Sequence, residues 1–264
     1  MLFLRSLLFQ IAFYLNFFLF AVLFPIVLLL PQSLVMSYAE IWMKCILFLW
    51  KWITGSTYEF RGLENIPKEG CIFASKHQSA WETLGLGGPA NKGVYIMKVE
   101  LMYIPIFGWF TYRAGMIPVR RGDRSKAVGP MIKAAGKAID AGRHIIIFME
   151  GTRMAAGTMR PYKAGVARMG EALQCQIVPV ALNTGLFWPR NSFWRYPGNL
   201  VIEFLPPIKA GKSVQATLTK LEKIVEPAVT ELIFETAKSD NPPPTIPKAL
   251  DELEARGIDV SAYR

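Results

Sequence analysis

Cys71-Ile72-Phe73-Ala74-Ser75-Lys76-His77-Gln78-Ser79-Ala80-Trp81-Glu82 runs from an apolar stretch, through a polar turn, into a segment that continues to Leu86. Cys71 to Ala74 reads as a buried strand and Trp81 to Leu86 as the start of a helix. His77 therefore falls in a strand-to-helix turn, the kind of connection on which function concentrates. It is one of only two histidines in the chain, and a carboxylate, Glu82, follows five residues later. A neutral imidazole accepts a proton near pH 7, and a carboxylate on its other nitrogen fixes the tautomer and stabilises the imidazolium that forms. The pair is a candidate general base with its orienting acid.

A histidine and a carboxylate at this spacing occur often by chance, and a second stretch gives the pair its weight. Phe148-Met149-Glu150-Gly151-Thr152-Arg153 follows the apolar run His144 to Phe148 and precedes the basic residues Arg160, Lys163 and Arg168. Between the two stretches lie Lys98-Val99-Glu100-Leu101 with Pro105 and Gly108, then Gly115-Met116-Ile117-Pro118-Val119-Arg120-Arg121; Val178-Pro179-Val180 comes later. In this order the motifs resemble the glycerolipid acyltransferases of the 1-acylglycerol-3-phosphate type, whose members pair a His-x-x-x-x-Asp motif with a downstream Glu-Gly-Thr-Arg motif. The resemblance covers residues 55 to 210. Glu82 stands where the family usually has Asp, and Lys76 where it often has Asn. Glutamate adds a methylene of reach and keeps the charge, so the same role is expected of it.

The resemblance implies a mixed α/β sheet flanked by helices, catalysis by His77 with Glu82, and acceptor binding by Glu150, Gly151, Thr152, Arg153 and Arg121. Lys98 and Lys163 are helpers by the same analogy. Physically, Arg153 offers a planar fork suited to a phosphate monoester, Gly151 allows close backbone approach, and Gly165 can present backbone N–H groups to the phosphate. A carboxylate beside a phosphate is repulsive, so Glu150 is expected to orient Arg153. The implied reaction carries a fatty acyl group from a thioester, acyl-coenzyme A or acyl carrier protein, to the sn-2 hydroxyl of lysophosphatidic acid, giving phosphatidic acid. Neither a further cofactor nor a metal is expected. Met102, Ile104 and Phe107 are candidates for an apolar acyl tunnel. Two alternatives stay open: another lysolipid acceptor, or a non-catalytic membrane protein that binds anionic lipids.

Hydrophobic residues make up 52% of the 264-residue chain, and residues 6 to 39 contain no Asp, Glu, Lys, Arg or His. Leu7 to Leu30 exceeds the ~20 residues that cross a bilayer as a helix, with Pro25 and Pro31 placed to kink and end it. A cleaved signal peptide fits poorly, because the apolar core is too long and no small-residue cleavage site follows. From Val35 to Thr54, Ser37, Glu40, Lys44 and Lys51 form one narrow polar stripe on an apolar helix, and Trp42, Trp50 and Trp52 suit headgroup depth. The two segments are expected to form a membrane-embedded hairpin, either entering and leaving from one side, as the resemblance implies, or with the first helix spanning fully, with residues 1–55 as anchor and the catalytic domain on the cytoplasmic side.

Further strands are expected at Thr57 to Arg61, Val94 to Met97, Met116 to Val119, His144 to Phe148, Ile177 to Asn183 and Leu200 to Leu205. Helices are expected at Ser125 to Ala141 and at Ser213 to Ala237, the latter interrupted at Pro227. Alternation of this kind implies an α/β domain over residues 56–240. Residues 241–264 read as a stiff proline-rich linker and a charged tail.

The formal net charge is +10, and it is concentrated. Residues 92 to 168 hold 14 Lys and Arg against 4 Asp and Glu, while the rest of the chain has 16 of each kind. A surplus around the motifs suggests an anionic ligand or an anionic membrane there. A nucleic-acid partner has no recognised module to support it. Three widely spaced cysteines, Cys45, Cys71 and Cys175, suggest neither a disulfide framework nor a metal site. His144, opening a buried strand, is expected to be structural.

Overall fold

The structure, a computed structural model, describes residues 1–120 and 128–264. Leu2–Val27 (α1) and Gln32–Thr54 (α2) form an antiparallel hairpin. Residues meet across it in reverse order: Arg5 Nη1 donates to Thr54 O, Phe9 packs edge-on against Trp50, and Tyr38 Oη donates to Phe20 O. The second helix closes on Gly55, whose left-handed backbone (φ +75°) lets its N–H reach Lys51 O. Both helices are long and apolar enough to cross a membrane. Leu8, Ile11, Leu15, Phe18, Val22 and Ile26 on α1, and Ile41, Phe48 and Trp52 on α2, lie exposed. The hairpin is not detached from the rest of the chain. Its open end docks through Phe9 and Trp50 on Trp188, with the Arg195 guanidinium over the Trp188 ring, and its loop end receives a hydrogen bond from Arg113 to Leu30 O.

Among the described residues seven strands form one sheet: Thr57–Arg61 (β1), Ile72–Ser75 (β2), Val94–Lys98 (β3), Ile117–Val119 (β4), Ile145–Phe148 (β5), Ile177–Leu182 (β6) and Asn199–Phe204 (β7). Each lies within one residue of its expected position. Their order is β1-β7-β6-β2-β5-β3-β4, with β6 and β7 antiparallel and every other neighbouring pair parallel. Central β2 and β6 are buried at every residue, as continuous apolar runs in a sheet covered on both faces should be. Edge strand β1 is half exposed and carries Glu59 and Arg61, the latter paired with Glu235.

The remaining helices are Trp81–Gly85 (α3), Phe107–Arg113 (α4), Val128–Asp140 (α5), Gly165–Leu173 (α6), Val214–Ala237 (α7) and Ile246–Glu254 (α8). The expected start of α5 at Ser125 lies outside the described residues. Two expectations are corrected. The helix α7 is continuous through Pro227, because Leu221 and Val225 before it and Val229 and Leu232 after it are all buried. That apolar stripe outweighs the ~3 kcal/mol cost of an internal proline. The presumed tail is also folded: Ile246, Ala249, Leu250 and Leu253 of α8 are buried, and Tyr263 stacks on Phe234 at 3.8 Å.

Because β2, β3, β4, β5 and β6 run the same way, their C-terminal ends share one edge of the sheet. At or just beyond those ends stand His77, Lys98, Arg120, Glu150 to Arg153, and Thr184. Motifs far apart in sequence meet there, in the usual location for ligands of open α/β sheets.

Candidate active site

The turn between β2 and α3 is built around one carboxylate. Glu82 is wholly buried. Its Oε1 accepts from His77 Nδ1 at 2.8 Å, from the Gln78 N–H at 2.8 Å and from the Ser79 N–H at 2.7 Å. Its Oε2 accepts from Thr184 Oγ1 at 2.7 Å. A buried carboxylate is expensive unless its lone pairs are filled, and these four donors fill them. Since a carboxylate only accepts, the imidazole proton sits on Nδ1, which leaves Nε2 as the basic nitrogen. The ring stacks on Phe148 at 3.8 Å and 12° between planes, and keeps 16% of its side chain exposed.

Glu82 also starts the helix that presents it. Ser79 Oγ accepts from the Trp81 N–H at 3.1 Å while Glu82 Oε1 takes the Ser79 N–H, so the two side chains fill backbone donors at the start of the helix. The pattern Ser-x-x-Glu at residues 79–82 was a sequence signal for this geometry. Thr184 had no such signal, being 102 residues from Glu82 and adjacent to it only through the pairing of β2 with β6.

The loop after β5 clamps the same turn. Met154 N–H donates to His77 O at 2.7 Å, and the His77 N–H donates to Glu150 Oε2 at 3.1 Å. Gly151 adopts the left-handed conformation (φ +70°) that turns the loop back, with its N–H on Phe148 O. The Glu150 side chain is buried, and its Oε1 lies 2.5 Å from Lys76 Nζ. Glu150 thus faces inward to Lys76 and the His77 backbone, in place of the expected contact with Arg153. Burial pushes its carboxyl above the ordinary carboxylate range, and the Lys76 ammonium opposes that rise.

Thr152 and Arg153 are half-buried on the rim, two and one residues before Met154. Arg153 O accepts from Arg190 Nη1. Lys163 is exposed, but its N–H bonds Met149 O at 2.8 Å and ties it to the same loop. Lys98 is exposed at the end of β3, the strand next to β5. The structure thus groups His77, Glu82, Glu150, Gly151, Thr152, Arg153, Lys98 and Lys163 at one sheet edge. Arg121 lies outside the described residues.

The opposite end of the sheet holds His144. Its Nδ1 accepts from the Cys71 N–H at 3.2 Å and its ring stacks on Phe73. Burial lowers its pKa, so it sits there as a neutral acceptor. Burial and the nearby Cys175 push the Cys71 thiol up to about 12, which removes it as a nucleophile. Of the tunnel candidates, Phe107 lines an apolar cleft with Ile106, Phe110, Phe24 and Trp42, between the hairpin and α4. Ile104 is exposed, and Met102 Sδ accepts from Thr111 Oγ1.

Comparison with known proteins places this arrangement. An acyltransferase family model matches residues 57–183, from β1 to the residue before Thr184. The 1-acyl-sn-glycerol-3-phosphate acyltransferase of Pseudomonas aeruginosa is 31% identical over 194 residues, 74% of this chain and 76% of that one. The chloroplastic enzyme BAT2 of Brassica napus, also a 1-acyl-sn-glycerol-3-phosphate acyltransferase, is 30% identical over 149 residues, 53% of this chain and 43% of its own longer one. The crystal structure of PlsC from Thermotoga maritima, a 1-acyl-sn-glycerophosphate (LPA) acyltransferase, superposes with a TM-score of 0.71 at 23% identity, covering 88% of this chain and 98% of that one. The structural likeness establishes the shared fold, and the identity to the Pseudomonas aeruginosa protein over three quarters of both chains establishes more: this chain is an enzyme of the 1-acyl-sn-glycerol-3-phosphate acyltransferase family.

Proposed function

We propose that the chain acylates the sn-2 hydroxyl of 1-acylglycerol-3-phosphate from a thioester donor, acyl-coenzyme A or acyl carrier protein, with His77 as general base. The observation that carries this reading is the 2.8 Å bond between His77 Nδ1 and a fully buried, four-donor Glu82. A carboxylate held that rigidly is placed to fix the tautomer and to balance the charge of an imidazolium. The acceptor hydroxyl gives its proton to His77 Nε2 as its oxygen attacks the thioester carbonyl. The carbon–sulfur bond then breaks, and the same proton passes to the leaving thiolate. No covalent enzyme intermediate and no further cofactor are needed.

Arg153 is the proposed ligand of the acceptor phosphate, with Arg121, Lys98 and Lys163 adding positive potential and Gly151 and Thr152 shaping the rim. Glu150 contributes from behind, by holding the turn. The exposed apolar face of the hairpin continues onto exposed Tyr103, Ile104, Trp109 and Tyr112. That continuity supports anchoring in one leaflet with the site at the bilayer surface, cytoplasmic by the positive-inside tendency. The apolar cleft at Phe107 supports a path for an alkyl chain.

The test is acyl transfer to lysophosphatidic acid in detergent micelles, each donor supplied separately, for the native chain, His77→Ala and Arg153→Ala. His77→Ala should lose about 10²–10⁴-fold in kcat, and Arg153→Ala should act chiefly on the acceptor KM. Native protein that acylates neither lysophosphatidic acid nor a panel of other lysolipids would refute the reading. Activity confined to another lysolipid would reassign the acceptor.

A further inference from the structure

Lys76, the residue before His77, is 1% exposed. Lysine is almost never buried so completely without partners, and here it has two carboxylates: Glu150 Oε1 at 2.5 Å and Glu226 Oε1 at 2.8 Å. Glu226, on α7, also accepts from Tyr162 Oη at 2.6 Å, and its Oε2 lies 3.1 Å from Arg256 Nη2. Arg256 follows α8 and donates through Nη1 to Gly157 O at 2.9 Å. Two cations and two carboxylates therefore form one charge-matched chain of contacts beneath the catalytic turn.

Such a cluster is a poor way to gain stability, since apolar side chains of the same volume usually serve as well. Its use lies in where it ends. Glu150 Oε2, the oxygen not on Lys76, holds the His77 N–H. We infer that Lys76, Glu226 and Arg256 are positioning residues for His77, a chain of charged contacts that ties the base to α7 and to the C-terminal segment. The inference rests on His77 being the base. It also accounts for Lys76 at a position where the family often has Asn, because the longer cation reaches a carboxylate on α7. A terminal segment that reads as a tail is thereby a working support of the site.

A base displaced by ~1 Å loses up to about 100-fold in rate, so each break in the chain of contacts should lower kcat and leave both substrate KM values in place. Lys76→Met strips two buried carboxylates of their shared cation and can unfold the chain. The decisive variants are therefore at the outer end, where the Arg256 side chain is 21% exposed. Full-length Arg256→Ala and Glu226→Gln should each show kcat lowered roughly 10-fold at unchanged KM, with Arg256→Lys recovering most of it. The double variant should be no worse than the poorer single one, because both break the same chain of contacts leading to His77. These are compared with His77→Ala in the micelle assay, per unit of protein shown folded by thermal unfolding. If His77→Ala is inactive while Arg256→Ala and Glu226→Gln stay within about twofold of native kcat, the inference fails alone. Losses that multiply in the double variant, or that appear in KM, overturn it as well. Turnover retained by His77→Ala would overturn both it and the role assigned to His77.

Discussion

Replacing Glu82 by Gln removes one charge and almost nothing else. The amide oxygen can keep the three bonds now made at Oε1, to His77 Nδ1, Gln78 N–H and Ser79 N–H. The amide NH₂ can donate to Thr184 Oγ1, since a hydroxyl accepts as readily as it donates. The turn should therefore hold. What is lost is the counter-charge for the imidazolium that the proposed mechanism forms during transfer. With an N···O separation of 2.8 Å, charge centres ~4 Å apart interact by about 4 kcal/mol at an effective dielectric of ~20. That corresponds to roughly 10³-fold in rate. The glutamine dipole returns part of it, so the expected loss in kcat is about 10²–10³-fold. KM for lysophosphatidic acid should stay in place. Glu82→Asp keeps the charge but shortens the reach, and should retain considerably more activity than Glu82→Gln. The assay is steady-state transfer in micelles at saturating donor, alongside thermal unfolding. A Glu82→Gln enzyme that folds normally and keeps more than about one tenth of native kcat would refute the argument that this carboxylate supports an imidazolium.

Thr184→Val leaves the Glu82 Oε2 buried without its donor, which should cost about 1.5–3 kcal/mol of stability, read as a lower Tm together with a reduced kcat. A Cβ added at Gly108 would lie 1.9 Å from Met102 O, so Gly108→Ala should destabilise by ~1–3 kcal/mol or more, visible as earlier thermal unfolding. His144 is held neutral by burial, with its pKa depressed below the ordinary 6.5. Its contribution to stability is full above pH 6.5 and is lost as pH falls from there through the folded-state value. Tm should therefore decline on acidification through that window, and His144→Leu should flatten that part of the profile.

The fold was legible because its strands are short apolar runs punctuated by glycine, proline and charge, and the parallel architecture followed from their alternation with helices. His77 and Glu82 were legible because both lie in one local turn. The contacts that complete the site were not. Phe148 reaches His77, and Thr184 reaches Glu82, only because β5 and β6 flank β2. No local pattern encodes which strands become neighbours. Glu150 was read through its own motif as a partner of Arg153, whereas its carboxylate is committed to Lys76, a residue 74 positions earlier. The C-terminal segment was misread for a different reason. Three consecutive prolines and a charged composition drew attention from Ile246, Ala249, Leu250 and Leu253, whose three- and four-residue spacing marks an apolar helix face.

The sheet order also sets a sequence of events during synthesis. The hairpin is complete once residue 54 has been made, and its apolar helices can enter the bilayer then. Strand β2 must wait for β5 and β6, and β1 for β7, each made many residues later. At ~5–20 residues per second, roughly 10–40 s separate the emergence of His77 from that of Arg256. For that interval the nascent chain carries its histidine without a site. The site is assembled only after the strands and helices that surround this histidine have all been made.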